Sequence, residues 1–254
     1  KFESKEYSGR VSYYKFEQVC KKFGVNLEDF MLSSREEGLK VKEQIPKPII
    51  GIRPELFRIT LENVHHLDIH SAHMAGVAKA FPELRPAIQY CYDYRKKHPI
   101  YKDILTHSWG YFQSRFSPVY YRLSHLSKAG LENVIREVNR LSNELEKTGH
   151  MVIGHNTDGI WYMGEVYHGE NEGKNLGQWE NDYHCIKFRA KSPGCYEYID
   201  DKGKYNPVLR GRIALDEEKP RDQWQWGDIF TSEKQNFYKL TANGLLVPDW
   251  GVDF

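Results

Sequence analysis

The most regular hydrophobic pattern of the chain lies between Lys128 and Lys147. Apolar residues recur there at i, i+3, i+4, i+7, i+10 and i+14 with charged residues between them, and Gly149 follows closely. This spacing places one apolar stripe along a helix, and a glycine just beyond the last turn is a helix stop signal. The pattern therefore predicts an amphipathic helix over Lys128–Lys147. The stripe consists of Leu131, Val134, Ile135, Val138, Leu141 and Leu145.

Two short β-prone runs follow this helix and flank a turn. Met151–Ile153 and Ile160–Tyr162 surround the sequence His155-Asn156-Thr157-Asp158-Gly159, and an Asp-Gly pair between such runs favours a β-hairpin. The hairpin places Asp158 at its tip. Three later runs alternate in the manner of strands, namely Tyr183–Ala190, Cys195–Ile199 and Tyr205–Arg210.

The first half of the chain combines one predicted strand with helices. His98-Pro99 marks a turn between two helical segments, because the residue before a proline disfavours helix, and the two segments predict a helical hairpin. The predicted elements are a strand at Glu62–His70 and helices at Tyr14–Phe23, Arg85–Arg95 and Tyr101–Phe112.

The composition is that of a globular protein. The chain has 254 residues, of which 40% are hydrophobic and 28% charged, enough for one core of good size or two small ones. With 36 basic and 35 acidic residues the net charge is +1, so any basic surface must be local. The sequence begins at Lys1 rather than methionine, which indicates a fragment or a processed chain.

The sequence favours a location in the cytoplasm. No stretch approaches 18 apolar residues, so we expect no membrane partner. The four cysteines show neither C-x-x-C spacing nor the density of a disulfide scaffold, which favours a reduced, intracellular protein.

Two aspartates stand at positions that suit a metal site. Asp68 lies at the end of a predicted strand and Asp158 at a hairpin tip, and the long helix between them can return the chain so that both lie side by side in a sheet. Hard cations such as Mg²⁺ prefer carboxylate oxygens together with substrate phosphates. An aspartate in an N-T-D-G turn is also a common turn former, so spacing alone leaves both interpretations open.

Three segments of the chain are similar to known sequence motifs. Asp68-Ile69-His70-Ser71-Ala72-His73-Met74 is similar to D-x-x-S-L-Y-P. Lys102-Asp103-Ile104-Leu105-Thr106-His107-Ser108-Trp109-Gly110 is similar to K-x-x-x-N-S-x-Y-G, and Asn156-Thr157-Asp158-Gly159 is similar to D-T-D-S. In this order the three segments resemble the three polymerase motifs of family B DNA polymerases, most closely those of the protein-primed phage type.

The resemblance implies an α+β fold. Its palm is an antiparallel sheet backed by helices, joined to a short two-helix fingers lobe and a small C-terminal thumb-like region. The implied divisions are a lead-in lobe at 1–60, the palm at 61–82 and 113–190, the fingers at 83–112, and a C-terminal palm extension or thumb-like region at 191–254. If the chain is of phage origin, it acts in the cytoplasm of the host cell.

The resemblance implies a DNA-directed DNA polymerase that adds a dNTP to a primer 3′-hydroxyl by two-metal catalysis. Asp68 and Asp158 are the implied catalytic residues, and the Ile69 carbonyl completes the ligands of two Mg²⁺ ions, for which Mn²⁺ substitutes. The implied partners are primer-template DNA, dNTPs and a priming protein or other replication proteins.

The resemblance also implies residues that bind the substrates. For Lys191 two interpretations are equally good, a primer-binding residue and a solvated lysine at a strand end, because Pro193 breaks the K-x-Y spacing of the family's primer-binding element. The implied nucleotide-binding residues are Lys102, His73, Ser71, Arg95 and Thr106, and the implied primer or DNA-binding residues are Asn156, Thr157, Lys191, Trp109 and Gly110.

The sequence departs from the family pattern at several points. Asn156 replaces the first aspartate of D-T-D-S, which lowers the negative charge of the site, and Thr106-His107 replaces Asn-Ser. The short interval between the first two motifs leaves out the insertion that encircles DNA, and the residues before Asp68 leave no room for a proofreading exonuclease in this chain.

Two alternative functions remain open at this point. One is a catalytically weak or inactive polymerase-like module that binds DNA. The other is a zinc-dependent hydrolase, because a helical segment would place His66, His70 and His73 on one face at i, i+4 and i+7, with His65 nearby. The predicted strand before Asp68 argues against the zinc site, since it scatters the histidines onto both faces.

Overall fold

The structure is a computed structural model of the whole chain. It describes residues 2–57, 59–192, 194–209, 225–226, 238–240 and 246–248. Most of the predicted thumb-like region at 191–254 lies outside these residues.

Six α-helices and nine β-strands make up the regular structure of the described residues. The helices are α1 (Phe2–Lys22), α2 (Arg35–Glu43), α3 (Ala72–Ala80), α4 (Arg85–Tyr94), α5 (Pro99–Phe112) and α6 (Ser124–Lys147). The strands are β1 (Ile50–Ile52), β2 (Leu61–Ile69), β3 (Met151–Asn156), β4 (Gly159–Met163), β5 (Trp179–Ser192), β6 (Cys195–Asp200), β7 (Tyr205–Leu209), β8 (Tyr238–Leu240) and β9 (Leu246–Pro248).

Seven of the strands form one sheet in the order β1-β3-β4-β2-β5-β6-β7, and β8 and β9 form a separate pair. The pairs β1–β3, β3–β4, β5–β6 and β6–β7 are antiparallel. β2 therefore lies in the middle of the sheet, between β4 and β5, although it comes early in the sequence.

The chain divides into two compact units. The helical unit consists of Lys1–Ile49, Asp68–Asn143 and His168–Glu180, and the sheet unit consists of Ile50–Leu67, Glu144–Tyr167 and the described residues of Asn181–Phe254. The predicted division into lead-in lobe, palm, fingers and thumb-like region stays a prediction.

The core of the helical unit is built from α1, α3, α4 and α5, together with the start of α6. Phe16, Met74, Ile88 and Phe112 are fully buried there. The helices α3 and α6 approach at two glycines, since a Cβ built at Gly76 would lie 2.4 Å from the Gly130 carbonyl oxygen. Only glycine permits so close a helix crossing.

The core of the sheet unit surrounds Trp161. Its ring lies 4.9 Å from the ring of Phe188 and 5.5 Å from that of Tyr196, measured between centroids. At the sheet edge, a Cβ at Gly154 would meet the Gly51 carbonyl oxygen at 2.3 Å, which explains why β3 carries a glycine where β1 pairs with it.

The predicted strands and helices are present with small shifts. The helix predicted at Lys128–Lys147 begins one turn earlier, and the stretch at Tyr14–Phe23 is the end of the longer α1. Five elements were not predicted, namely α2, α3, β1, β8 and β9. α3 is rich in alanine and glycine and lacks an apolar stripe with polar faces, and β1, β8 and β9 are only three residues long each.

All four cysteines are free and buried. Burial raises the pKa of the Cys20, Cys91 and Cys185 thiols to about 12 and that of Cys195 to about 11. Within the part of the chain that the structure describes, no helix combines the length and apolar character needed to span a bilayer.

Candidate functional site

Asp68 and Ile69 end the central strand β2, and a tight turn leads from them into α3. Asp68 is half-buried and Ile69 is buried. Ser71 caps α3 with a φ of 50°, in the left-handed region, and its carbonyl accepts a hydrogen bond from the Ala75 amide at 2.9 Å. Non-glycine residues rarely adopt this conformation, and it clusters at functional sites.

Asp158 lies in the hairpin between β3 and β4. Asn156 pairs with Gly159, so the loop consists of Thr157 and Asp158 alone. The predicted Asp-Gly turn is thus displaced by one residue, because Gly159 is already part of β4. Thr157 has a φ of 63°, and a β-branched residue in this region costs about 1–3 kcal/mol.

Gly159 leaves space for a neighbouring histidine ring. A Cβ at this position would lie 2.3 Å from His66 Nε2 and 3.1 Å from the Leu67 carbonyl oxygen. The backbone that follows Asp158 therefore lies directly against the β2 residues that precede Asp68, and any side chain at position 159 would force them apart.

A part-buried histidine–carboxylate pair supports this close approach. His66 Nδ1 lies 2.6 Å from Asp182 Oδ1, and the His66 side chain is only 6% exposed. The His66 ring also packs 4.2 Å from Trp161. No local pattern joins His66 to a residue 116 positions away. The available signal was the alternation that places Glu180 and Asp182 on one face of β5.

Glu180, the first of these two carboxylates, belongs to a second pair in the helical unit. Glu180 Oε1 lies 3.2 Å from His70 Nε2. The His70 backbone exchanges hydrogen bonds with Gln178 at 2.8 Å and Gly177 at 2.9 Å. The segment after Asp68 is therefore fastened by both its backbone and its side chain.

One face of α5 carries three of the residues predicted from the second motif. Lys102, Thr106 and Trp109 lie at i, i+4 and i+7 and so share one side of the helix. Lys102 is exposed, and the Thr106 hydroxyl donates to the Lys102 carbonyl at 2.9 Å. Gly110 follows on α5, and a Cβ there would meet nothing within 4 Å.

The structure brings the first and second motifs together at His73 and Trp109. The two ring centroids lie 4.2 Å apart. Trp109 is held in place because its Nε1 donates to the Ser127 carbonyl at 2.9 Å, while Ser127 Oγ donates to the Trp109 carbonyl at 2.6 Å. Burial lowers the pKa of His73 to about 4.

This lowered pKa predicts a pH-dependent stability. Between about pH 6.5 and 4, His73 is protonated in the unfolded chain and neutral in the folded chain. The free energy of unfolding therefore falls as the pH falls through this range. We expect His73→Phe to remove about 1–2 kcal/mol of that fall, as measured by urea unfolding at pH 7 and pH 4.5.

Identical pH dependence in the wild type and His73→Phe would contradict the assignment.

Arg95 is engaged at the end of α4. Its guanidinium carbon lies 3.3 Å from the centroid of the Tyr92 ring, and Nη1 donates to the Tyr92 carbonyl at 2.5 Å. The Tyr92 hydroxyl donates to the Lys174 carbonyl at 2.6 Å. Arg95 thus has a fixed position in the helical unit, within the same cluster of residues as His70, whose ring lies 6.3 Å from that of Tyr92.

Lys191 is half-buried at the end of β5. The tyrosines that break its K-x-Y spacing, Tyr196 and Tyr198, are buried in the core of the sheet unit. The neighbouring Arg189 forms an ion pair with the fully buried Glu197 at 2.5 Å.

The helical arrangement needed for a zinc site is not present. β2 extends through Ile69, so His66 lies in a strand, His70 in a turn and His73 in a helix. His65 stacks on His184 with ring centroids 4.7 Å apart. The described residues contain no group of three or more His, Cys, Asp or Glu side chains arranged to hold a metal ion.

Carboxylates and a backbone carbonyl are nonetheless the donors that Mg²⁺ selects when substrate phosphates complete its coordination. Asp68 belongs to the helical unit and Asp158 to the sheet unit. In chemical type the predicted ligands Asp68, Asp158 and the Ile69 carbonyl fit this ion.

Comparison by sequence gives no match. No family model matches the chain, and no curated protein sequence matches it.

Comparison by structure identifies the class of fold, which is that of the family B DNA polymerases. The chain is similar to Phi29 DNA polymerase complexed with primer-template DNA, with a TM-score of 0.63 and 11% identity over 95% of this chain and 66% of that chain. Phi29 DNA polymerase complexed with single-stranded DNA gives a TM-score of 0.65 and 10% identity over the same shares.

A third similar structure is the ternary complex of Phi29 DNA polymerase with primer-template DNA and incoming nucleotides. It gives a TM-score of 0.64 and 10% identity over 95% of this chain and 65% of that chain. The chain thus spans about two thirds of the Phi29 polymerase chains that it matches. The predicted α+β polymerase fold and the resemblance to the protein-primed type are confirmed.

Proposed function

We propose that this chain is the nucleotide-adding core of a DNA-directed DNA polymerase, which extends a primer 3′-hydroxyl with dNTPs. The observation that carries the proposal is the polymerase fold together with the order of the strands in its sheet. Asp68 lies in β2, Asp158 immediately precedes β4, and β2 and β4 are hydrogen-bonded neighbours in the sheet. The close approach of Gly159 to the Leu67 carbonyl oxygen supports this strand order.

In this proposal Asp68, Asp158 and the Ile69 carbonyl hold two Mg²⁺ ions, with Mn²⁺ as a substitute. Such ions activate the attacking hydroxyl and neutralise the pyrophosphate leaving group. The chain contributes by fixing its ligands. The left-handed backbone at Ser71 and Thr157 and the part-buried His66–Asp182 pair would support the turns that carry the two carboxylates.

The incoming nucleotide would be bound by residues of α3, α4 and α5. The exposed Lys102 supplies positive charge to the triphosphate, and Arg95 adds a second cation held in place by Tyr92. His73, braced by Trp109, and the nearby Ser71 lie under the sugar, where a ring excludes a 2′-hydroxyl. The Thr106 hydroxyl bonds its own helix, so its contribution is steric.

The DNA would be held by the remaining predicted residues. Asn156 and Thr157 lie at the hairpin tip next to Asp158 and would contact the primer end. Trp109 and Gly110 form the part of α5 that faces the nascent base pair, and Lys191 binds a primer phosphate.

We propose primer-template DNA and dNTPs as the partners, since Phi29 DNA polymerase is seen with primer-template DNA, single-stranded DNA and incoming nucleotides. A priming protein is a further proposed partner from the resemblance to the protein-primed type. The proposed location is the cytoplasm, that of the host cell for a phage protein.

Primer extension tests the proposal directly. We expect the purified chain to extend a labelled primer on a DNA template with Mg²⁺ or Mn²⁺, and to lose template-dependent extension on Asp68→Ala. Extension that continues at the wild-type rate in Asp68→Ala would show that the proposed metal site is wrong.

A catalytically weak or inactive DNA-binding module is the second candidate function. Asn156 favours it, because the hairpin tip has one carboxylate fewer than the D-T-D-S pattern and attracts cations less strongly. DNA binding without extension by the wild type, with either metal, would identify this second function.

A further inference from the structure

A cluster of aromatic rings on the surface of the helical unit is not used by the proposed polymerase site. It lies where the end of α1, the end of α4 and the start of α5 meet. We call it the aromatic patch; its members are Phe23, Tyr90, Tyr94 and Tyr101, with the ammonium groups of Lys22 and Lys97 lying on its rings.

The rings contact one another closely. The centroids of Tyr90 and Tyr94, one helical turn apart on α4, are separated by 4.6 Å. Tyr90 lies 5.5 Å from Tyr101 and 5.6 Å from Phe23. Hydrogen bonds from Tyr101 and Lys22 lower the pKa of the Tyr90 hydroxyl.

The outer rings of the aromatic patch face solvent. Tyr94 is 38% and Phe23 40% exposed, whereas Tyr90 and Tyr101 rest with one side against the core of the helical unit. Packing against the core therefore accounts for the presence of Tyr90 and Tyr101, but it does not account for the exposed rings of Phe23 and Tyr94. Neighbouring exposed aromatic rings of this kind indicate a binding surface.

The charge of the surroundings defines what the aromatic patch can bind. Lys22 Nζ lies 4.1 Å from the centroid of Tyr90, and Lys97 Nζ lies 5.6 Å from that of Tyr94. Lys97 ends a run of three cations, Arg95-Lys96-Lys97, directly after α4. The nearby Asp93 accepts a hydrogen bond from Gln89 at 2.8 Å. The patch thus combines flat rings with a local excess of positive charge.

Flat rings beside cations suit a ligand with stacking faces and a negatively charged backbone. Unpaired nucleotides have both, and a base stacked on an aromatic ring contributes about 1–3 kcal/mol. A DNA duplex keeps its base faces covered, so it would use the lysines and leave the rings empty.

We propose that the aromatic patch is a stacking platform for an unpaired nucleic-acid strand, bound without sequence preference. This inference rests on the proposed polymerase function in one respect, since the strand would be the single-stranded part of the template. The platform lies at the start of α5, and the face of that helix with Lys102, Thr106 and Trp109 follows within the same helix.

The test compares two fluorescent 12-mers in anisotropy titrations of the full chain: oligo-dT and an abasic strand with the same number of phosphates. We expect the wild type to prefer oligo-dT. Tyr94→Leu should weaken oligo-dT binding about tenfold and leave the affinity for the abasic strand unchanged, which also shows that the variant is folded. Tyr94→Phe keeps a ring and should bind as the wild type does.

Two further variants separate stacking from charge. Lys97→Gln should weaken the binding of both strands equally. It should also reduce the slope of log affinity against log salt concentration by about the amount of one phosphate contact. Tyr14→Leu is the matched control, because Tyr14 is 40% exposed on the opposite face of α1, nine residues before Phe23. It should change neither affinity.

Equal oligo-dT affinity of the wild type and Tyr94→Leu would overturn the proposal, and a protein-docking role of the patch predicts that result. Primer extension by the wild type distinguishes the two hypotheses. Extension together with unchanged oligo-dT binding by Tyr94→Leu refutes only the platform. A ring-dependent preference for oligo-dT without extension refutes only the polymerase function.

Discussion

Asp158→Ala is expected to abolish template-directed primer extension, with a rate at least about a thousandfold below that of the wild type. The carboxylate at the hairpin tip would be one of two that hold the metal ions, and loss of several kcal/mol of transition-state stabilisation lowers the rate by this factor. The measurement is single-nucleotide addition to a labelled primer with Mg²⁺, together with DNA binding by anisotropy, which should persist.

The controls for Asp158→Ala come from the same sheet. Asp201→Ala removes an exposed carboxylate from the turn between β6 and β7 and should leave the extension rate unchanged. Asn156→Asp restores the second carboxylate of the hairpin tip and should lower the Mg²⁺ concentration required for extension. Wild-type extension by Asp158→Ala would remove Asp158 from the metal site.

Gly76→Ala is expected to destabilise the protein by about 2–3 kcal/mol. The added methyl group would lie 2.4 Å from the Gly130 carbonyl oxygen, and overpacking a helix crossing costs this much despite the gain of about 1 kcal/mol in helix propensity. Because α3 directly follows the turn after Asp68, we also expect a lower extension rate. Urea unfolding measures the change in stability.

Gly110→Ala is the same substitution in a helix where a Cβ meets nothing within 4 Å. It should stabilise the protein by about 0.5–1 kcal/mol through helix propensity alone. Opposite signs for the two variants would establish the close contact of α3 and α6. Stabilisation by both would show that the crossing has room for a side chain.

Local patterns were sufficient to predict α6 and the hairpin that carries Asp158. The apolar stripe of α6 and the β-prone runs around Asn156-Thr157-Asp158-Gly159 depend on residues close in sequence, and both elements are present. α3 was missed because glycines and alanines that serve a close helix crossing remove the contrast between apolar and polar faces. Such contacts are set by the partner helix, which local periodicity does not contain.

The surroundings of the candidate site could not be predicted for a related reason. The His66–Asp182 pair joins residues 116 positions apart, and the sequence alone left His66 as a candidate ligand of the alternative zinc site. The displaced turn at Thr157 shows the same limit, because its register is fixed by the pairing of Asn156 with Gly159 rather than by turn preference. The first feature follows from the sheet order, in which β2 lies between β4 and β5, and the second follows from the pairing of β3 with β4.

The two-residue loop at Thr157 and Asp158 also sets how this protein tolerates insertions and deletions. A loop of two residues cannot absorb a change in length. Adding or removing one residue would shift β4 by one position and turn every side chain of that strand to the opposite face of the sheet. Trp161 would then leave the core of the sheet unit, and Gly159 would no longer lie against His66. In mutagenesis libraries of this hairpin, loop length should therefore be kept constant, and Asp158 and Gly159 should be left unchanged.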